Sequence, residues 1–139
     1  MGRAVILFDT SVLISARESL ELWSAVLPDE IPVFSAISYG ELAFGVSVAA
    51  DAHARAERQE NLNWIESLAP RWLPYDRRAA AGYGVLAATV KRHRPAHARS
   101  KDIMLAGHAF ALGASLATLN PKDFELVADV VPIISPASR

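Results

Sequence analysis

The 139-residue chain contains no cysteine. That excludes disulfides and thiolate-held metals, and it leads us to expect a reducing compartment. There is no surplus of charge: 14 Lys and Arg against 15 Asp and Glu leave a formal net charge of −1. Affinity for a polyanion therefore has to come from a local patch. No apolar run approaches the roughly 18 residues of a membrane span. The one early run is too short for a signal peptide and has only Arg3 ahead of it. The expectation is a soluble, cytoplasmic protein. Repeats, low-complexity tracts and linkers are missing, as are G-x-S-x-G, Walker and G-x-G-x-x-G motifs. The histidines form no spaced ligand pair: Pro95 interrupts His93 and His97, and His53 and His108 are isolated. His108 reads as a core or dimer-face residue.

What is present is a hydrophobic fraction of 52% against 21% charged, enough for one domain with a sizeable core. Short apolar runs alternate with helical patterns. Val5–Phe8 predicts a strand, followed by a helix from Thr10 to about Leu27 broken near Glu18–Ser19. Pro28-Asp29 marks a turn, Pro32–Phe34 a second strand and 36–49 a helix. A further helix spans 51–68, with Leu62, Ile65 and Leu68 on one face. Trp72–Tyr75 is a short strand and 76–92 a helix with Tyr83, Leu86 and Val90 on one stripe. The segment 100–112, apolar almost all round, predicts a buried helix. Ser115–Thr118 and Val131–Ile134 complete the strands. This alternation predicts an α/β protein with a parallel sheet covered on both faces, a three-layer α/β/α sandwich. Sites in such folds lie beyond the carboxyl ends of the strands.

Four acids fall at that edge. Asp9 ends the first apolar run, where a charge costs free energy unless compensated. As a helix N-cap it has a purely structural alternative. Glu41 either completes a capping box with Ser38 or, if Ser35 caps the helix, sits in its second turn among apolar neighbours. Asp102 stands in the first turn of the most apolar helix, where the helix dipole favours an acid. Asn120 and Asp123 follow the fourth strand; Asn120 suits a cap ahead of Pro121. Asp51 and Asp76 open helices and read as caps. Carboxylates converging at one rim repel unless one binds a proton or a cation lies between them. Hard cations such as Mg²⁺ take oxygen ligands.

The stretch "VKRHRPAHARSK" brings Lys91, Arg92, Arg94, Arg99 and Lys101 together directly before Asp102. Alone it is a solvated loop. Beside an acidic metal site, a basic collar suits phosphodiester chemistry, with the collar holding phosphates and the metal polarising the scissile one.

On these residues the sequence resembles the PIN-domain ribonucleases, and within them the VapC-type toxins of bacterial toxin–antitoxin pairs. "ILFDTSVLI" is similar to the family's opening block, "FSAISYGELAFGV" to its second and "DIMLAGHAFALGASLATLNPKDF" to its third. The resemblance implies that Asp9, Glu41 and Asp102 hold Mg²⁺ or Mn²⁺. It implies that the fourth acidic position falls to Asp123, because Asn120 stands where some relatives carry an Asp. Thr10, Ser11 and Thr118 match polar positions lining the site. It also implies cleavage of single-stranded RNA in a tRNA or rRNA, a homodimer and a cognate antitoxin. Apolar crowding at Leu20, Leu22, Trp23, Val26 and Leu27, and at Phe44, Val46, Val48 and Trp64, marks candidate interface residues, with ordinary core as the alternative.

The resulting expectation is a metal-dependent endoribonuclease, with Glu41 or Asp123 orienting the attacking water and Arg92, Arg94, Arg99, Lys101, Thr10, Ser11, Thr118 and Asn120 on the substrate. An Asp-nucleophile phosphotransferase is the rival enzyme, although it wants an acid where Ser11 stands. The non-enzymatic rival is an inactive RNA- or partner-binding module.

Overall fold

The computed structural model describes residues 4–19, 30–68 and 70–135. The predicted turn at Pro28-Asp29 and the apolar cluster from Leu20 to Leu27 lie outside the described residues. The strands are β1 (Val5–Phe8), β2 (Ile31–Ser35), β3 (Trp72–Leu73), β4 (Ser115–Ala117) and β5 (Ile133–Ile134). They form one sheet in the order β3-β2-β1-β4-β5, with every pairing parallel. The helices are α1 (Thr10–Ile14), α2 (Ala36–Ser47), α3 (Ala52–Ser67), α4 (Arg77–Lys91) and α5 (Lys101–Leu112). Two 3₁₀ turns add His97–Arg99 and Pro121–Val127.

Alternation along β1 divides the core. Leu7 points to one face, onto Leu86 and Val90 of α4, Ile103 and Ala106 of α5, and Phe124. Ile6 and Phe8 point to the other, onto Val12 and Leu13 of α1, Leu42 of α2, and Leu62 and Ile65 of α3. A strand buried on both faces reads as a continuous apolar run, and β1 does. The predicted three-layer α/β/α sandwich is the observed one. Leu68, however, is 49% exposed and leaves the stripe of Leu62 and Ile65, because α3 ends at Ser67.

Some boundaries differ from expectation. The first helix breaks at Ser15, not near Glu18–Ser19. Asn61 of α3 donates its Nδ2 to the carbonyl of Leu13 at 3.1 Å, so a contact distant in sequence satisfies the backbone freed at the break. β3 stops at Leu73 because Pro74 brings no N–H to a ladder. Pro32 sits inside β2 where only β1 runs alongside, since β3 pairs no earlier than Phe34.

The chain builds outward from β1 through β2 to β3, then returns to lay β4 on the other side of β1. The direction of winding reverses between β1 and β4. In such sheets sites lie outside the carboxyl ends of the strands at this point, and residues 9–11 and 118–123 leave the sheet here.

Candidate active site at the carboxyl edge of the sheet

Asp9 occupies the N-cap position of α1, but its side chain makes no capping bond. Its Oδ2 instead accepts hydrogen bonds from Ser11 Oγ at 2.8 Å and Thr118 Oγ1 at 2.7 Å. Only 5% of the residue is exposed. Its N–H donates to the Ala117 carbonyl at 2.8 Å, which seats it against β4. The loop after β4 is tied in as well: the N–H of Leu119 donates to Ser11 Oγ and that of Asn120 to Thr118 Oγ1. The hydroxyls of Ser11 and Thr118 thus orient a carboxylate across the switch point.

Glu41 is held in the same manner. Thr10 Oγ1 donates to Glu41 Oε1 at 2.8 Å and lies 2.9 Å from Ser38 Oγ. The capping-box reading of Ser38 and Glu41 is overturned: α2 begins at Ala36, and Ser35 is its cap, accepting from the N–H of Ile37. Ser38 is the third residue of the helix, and its hydroxyl lies against that of Thr10. That contact was missed in the sequence because the partners are 28 residues apart.

Asp102 opens α5, but the cap is Ser100, which accepts from the N–H of Ile103 at 3.3 Å. An acid placed only to meet the helix dipole would ionise more easily than usual. The Asp102 carboxyl is pushed up to about 6 instead. Burial is the largest cause, followed by the negative charges of Asp9 and Asp123; His97 pulls the other way and Glu41 adds further repulsion. Four acids from four segments therefore share one electrostatic field. Asp123 is exposed, and its carbonyl lies 3.0 Å from His97 Nε2. His97, set aside in the sequence for want of a spaced partner, is the missed member of this neighbourhood. Asn120 takes the N-cap position ahead of Pro121 without a side-chain capping bond. Asp51 and Asp76 are caps, accepting from the N–H groups of Ala54 and Ala79.

Mutual repulsion is what a cation would relieve, and the donor set is all oxygen, as Mg²⁺ or Mn²⁺ requires. Yet among the described residues no three acidic or imidazole side chains stand close enough together to ligate one ion directly. The two observations agree if few carboxylates touch the ion. Mg²⁺ characteristically keeps several waters and takes one or two carboxylates, and Asp9 is the acid whose charge acts most strongly on Asp102.

Arg92, Arg94, Arg99 and Lys101 are all exposed. They fall between the end of α4 and the first residue of α5, and the Lys101 ammonium lies 5.8 Å from the centre of the Phe44 ring on α2.

The Asp102 repulsion has a consequence for stability. Folded Asp102 holds its proton up to about pH 6, against an ordinary value of 3.8. Between those values the folded state binds more protons than the unfolded state, so stability falls as pH rises through that window. Asp102→Asn should raise metal-free stability at pH 7.5 by about 1 kcal/mol after discounting for solvent screening of a half-buried group. The gain should vanish below about pH 3, where both states are protonated. Urea melts at the two pH values with EDTA present measure this, and an equal effect at both would remove Asp102 from the repulsive cluster.

A family model for the PIN domain matches residues 6–130. No curated protein matches the chain in sequence. Among solved structures, the chain is similar to a member of the VapBC family of toxin–antitoxin systems, VapBC-5, from Mycobacterium tuberculosis. Identity is 25%, 95% of this chain and 97% of that chain are covered, and the TM-score is 0.73. It is also similar to FitAcB from Neisseria gonorrhoeae, at 28% identity, with 96% and 99% covered and a TM-score of 0.70. VapBC2 from Rickettsia felis, bound to a DNA fragment from its promoter, is alike in fold: 19% identity, 94% and 98% covered, TM-score 0.76.

Proposed function

The chain belongs to the PIN-domain family, and from that premise we propose that it is a Mg²⁺- or Mn²⁺-dependent endoribonuclease acting as the toxin of a toxin–antitoxin pair. Its substrates are single-stranded regions of a tRNA or rRNA, so its site of action is the cytoplasm. The observation that carries the reading is the raised Asp102 carboxyl, which ties Asp9, Glu41, Asp102 and Asp123 into one charge cluster at the switch point. The likeness to structures from toxin–antitoxin systems supports the biological role.

Asp9 and Asp102 would hold the ion, with Glu41 reaching it directly or through water. When bound, the ion lowers the pKa of a water and offsets charge on the phosphate. Ser11 and Thr118 keep Asp9 aimed into the crevice, and Thr10 does the same for Glu41. Glu41 or Asp123 would take the proton of the attacking water as its oxygen bonds to phosphorus and the bond from phosphorus to the 3′ oxygen breaks; that oxygen takes a proton from solvent, which leaves a 5′-phosphate and a 3′-hydroxyl. Arg92, Arg94, Arg99 and Lys101 bind backbone phosphates. Asn120, at the rim beside Thr118, contacts the substrate. A cognate antitoxin and a second copy of the chain are the protein partners. Their contact surface includes Phe44, 62% exposed, and Val48, 54% exposed. The Ser11 hydroxyl is spent on Asp9, which counts against the Asp-nucleophile chemistry that would want an acid there.

Purified protein should cut single-stranded RNA in Mg²⁺, stop in EDTA and leave 5′-phosphate ends. Replacing Arg92, Arg94 and Arg99 with Ala should weaken RNA binding across sequences and flatten its salt dependence by about one unit per lost phosphate contact. Metal-independent RNA binding without cleavage would mean a binding module. An unchanged salt slope would return the basic stretch to ordinary surface.

A further inference from the structure

His108 is 3% exposed and Ser35 is fully buried, and neither has a role in the chemistry proposed above. Imidazole is an expensive way to fill space among alanines, because a buried polar group without a partner costs free energy that an apolar side chain would not. His108 has its partner: Nδ1 lies 3.0 Å from Ser35 Oγ. The same Oγ accepts the N–H of Ile37 and so starts α2. The imidazole ring is braced from a third segment. Tyr75 meets it edge-on, with ring centres 5.3 Å apart, and donates its hydroxyl to the Met104 carbonyl on α5 at 2.9 Å. Burial holds His108 below the usual imidazole range, against the pull of Asp76, so the ring stays neutral.

The placement of the bond gives it a consequence. Ser35 is six residues ahead of Glu41 on α2, and Asp102 is six residues ahead of His108 on α5. Leu42 of α2 packs in the core on one face of the sheet, and Ile103 and Ala106 of α5 in the core on the other. Where one helix stands relative to the other is therefore set by the few direct contacts between them: the exposed Lys101 ammonium over the Phe44 ring and the buried His108–Ser35 bond. The His108–Ser35 hydrogen bond crosses between the layers at the end of β2. We infer that His108 is a positioning residue: its bond to Ser35 locks the start of the Glu41 helix to the Asp102 helix and thereby sets the separation of those two carboxylates. This inference rests on the metal-dependent nuclease reading, in which both acids serve the same ion.

The test compares the full chain with His108→Leu, His108→Asn, His108→Gln, Ser35→Ala and the double variant His108→Leu/Ser35→Ala. Readouts are Mn²⁺ affinity by calorimetry, kcat and KM on single-stranded RNA, and the urea midpoint, with all assays well below the lowest unfolding midpoint. An Asn carboxamide reaches about where Nδ1 stands, whereas a Gln carboxamide overshoots it. Leu, Gln and Ala variants should lose about tenfold in Mn²⁺ affinity and in kcat, with RNA KM unchanged. His108→Asn should stay within about twofold of wild type. The double variant should be no worse than Ser35→Ala alone, because both substitutions remove the same bond. A purely structural role would move the urea midpoints and leave Mn²⁺ affinity and kcat alone. That outcome overturns the inference, as do matching Asn and Gln variants or multiplicative losses in the double variant. Wild-type protein that neither binds Mn²⁺ nor cuts RNA overturns the functional reading itself, and a wild type that does both while every variant equals it overturns this inference alone.

Discussion

Asp9→Asn is expected to lower RNA cleavage by about 10³-fold, equivalent to losing several kcal/mol of transition-state stabilisation. Its Oδ2 accepts from Ser11 and Thr118. An Asn carbonyl oxygen can keep both bonds, so the loop after β4 stays attached to β1. What is lost is the charge. At an ion that touches few carboxylates, one fewer leaves little to hold it. Circular dichroism and the urea midpoint should therefore stay near wild type while Mn²⁺ affinity and cleavage collapse together. The like-charge repulsion on Asp102 should also ease, because Asp9 is the strongest of the charges raising its carboxyl. Asp9→Asn protein that cleaves RNA at the wild-type rate would remove Asp9 from the site.

The second large effect concerns stability and lies far from the acids. α4 and α5 pack backbone to backbone at Gly82 and Gly107. A Cβ added at Gly82 would lie 2.2 Å from the Gly107 carbonyl oxygen, and one at Gly107 would lie 2.4 Å from the Tyr83 nitrogen. Backbone cannot rotate out of the way as a side chain can, so either substitution must push the helices apart. Gly82→Ala or Gly107→Ala should cost about 3 kcal/mol, near the upper end for overpacking. That corresponds to a fall in Tm of about 10 °C for a domain of this size. Gly84 on the same helix is the control: nothing lies within 4 Å of its added Cβ, so Gly84→Ala should stabilise by about 0.5–1 kcal/mol through helix propensity. Urea melts of the three variants decide the point, and equal effects at Gly82 and Gly84 would mean that the close helix contact is absent in solution.

Much of the architecture was legible from the residues. Val5–Phe8 announced a strand buried on both faces, and the alternation of strands and helices announced a parallel sheet whose carboxyl edge was the place to look for a site. Asp9 stood out because an apolar run ending in a carboxylate needs a reason. The strand ends were less legible: Tyr75 and Thr118 are chemically plausible strand residues, and only the neighbour across the ladder decides where pairing stops. The break at Ser15 was misplaced for a related reason, since Asn61, which satisfies the freed carbonyl of Leu13, arrives from another helix.

What the sequence determined by itself is therefore local and periodic: which segments are helix or strand, which faces are apolar, and which acids fall at element ends. Those properties follow from side-chain type and spacing along a chain with period 2 or 3.6. What only the tertiary structure decided is which groups meet. Capping and site roles for Asp9, Glu41 and Asp102 carry the same sequence signature, because an acid beside a helix start serves either. The hydroxyl of Thr118 on Asp9, that of Thr10 on Glu41, and the shared field that raises Asp102 set these acids apart from plain caps, and they involve residues 109 and 31 positions apart or charges from four segments. The winding reversal between β1 and β4 brings them together, and it is a property of strand order that no local pattern encodes.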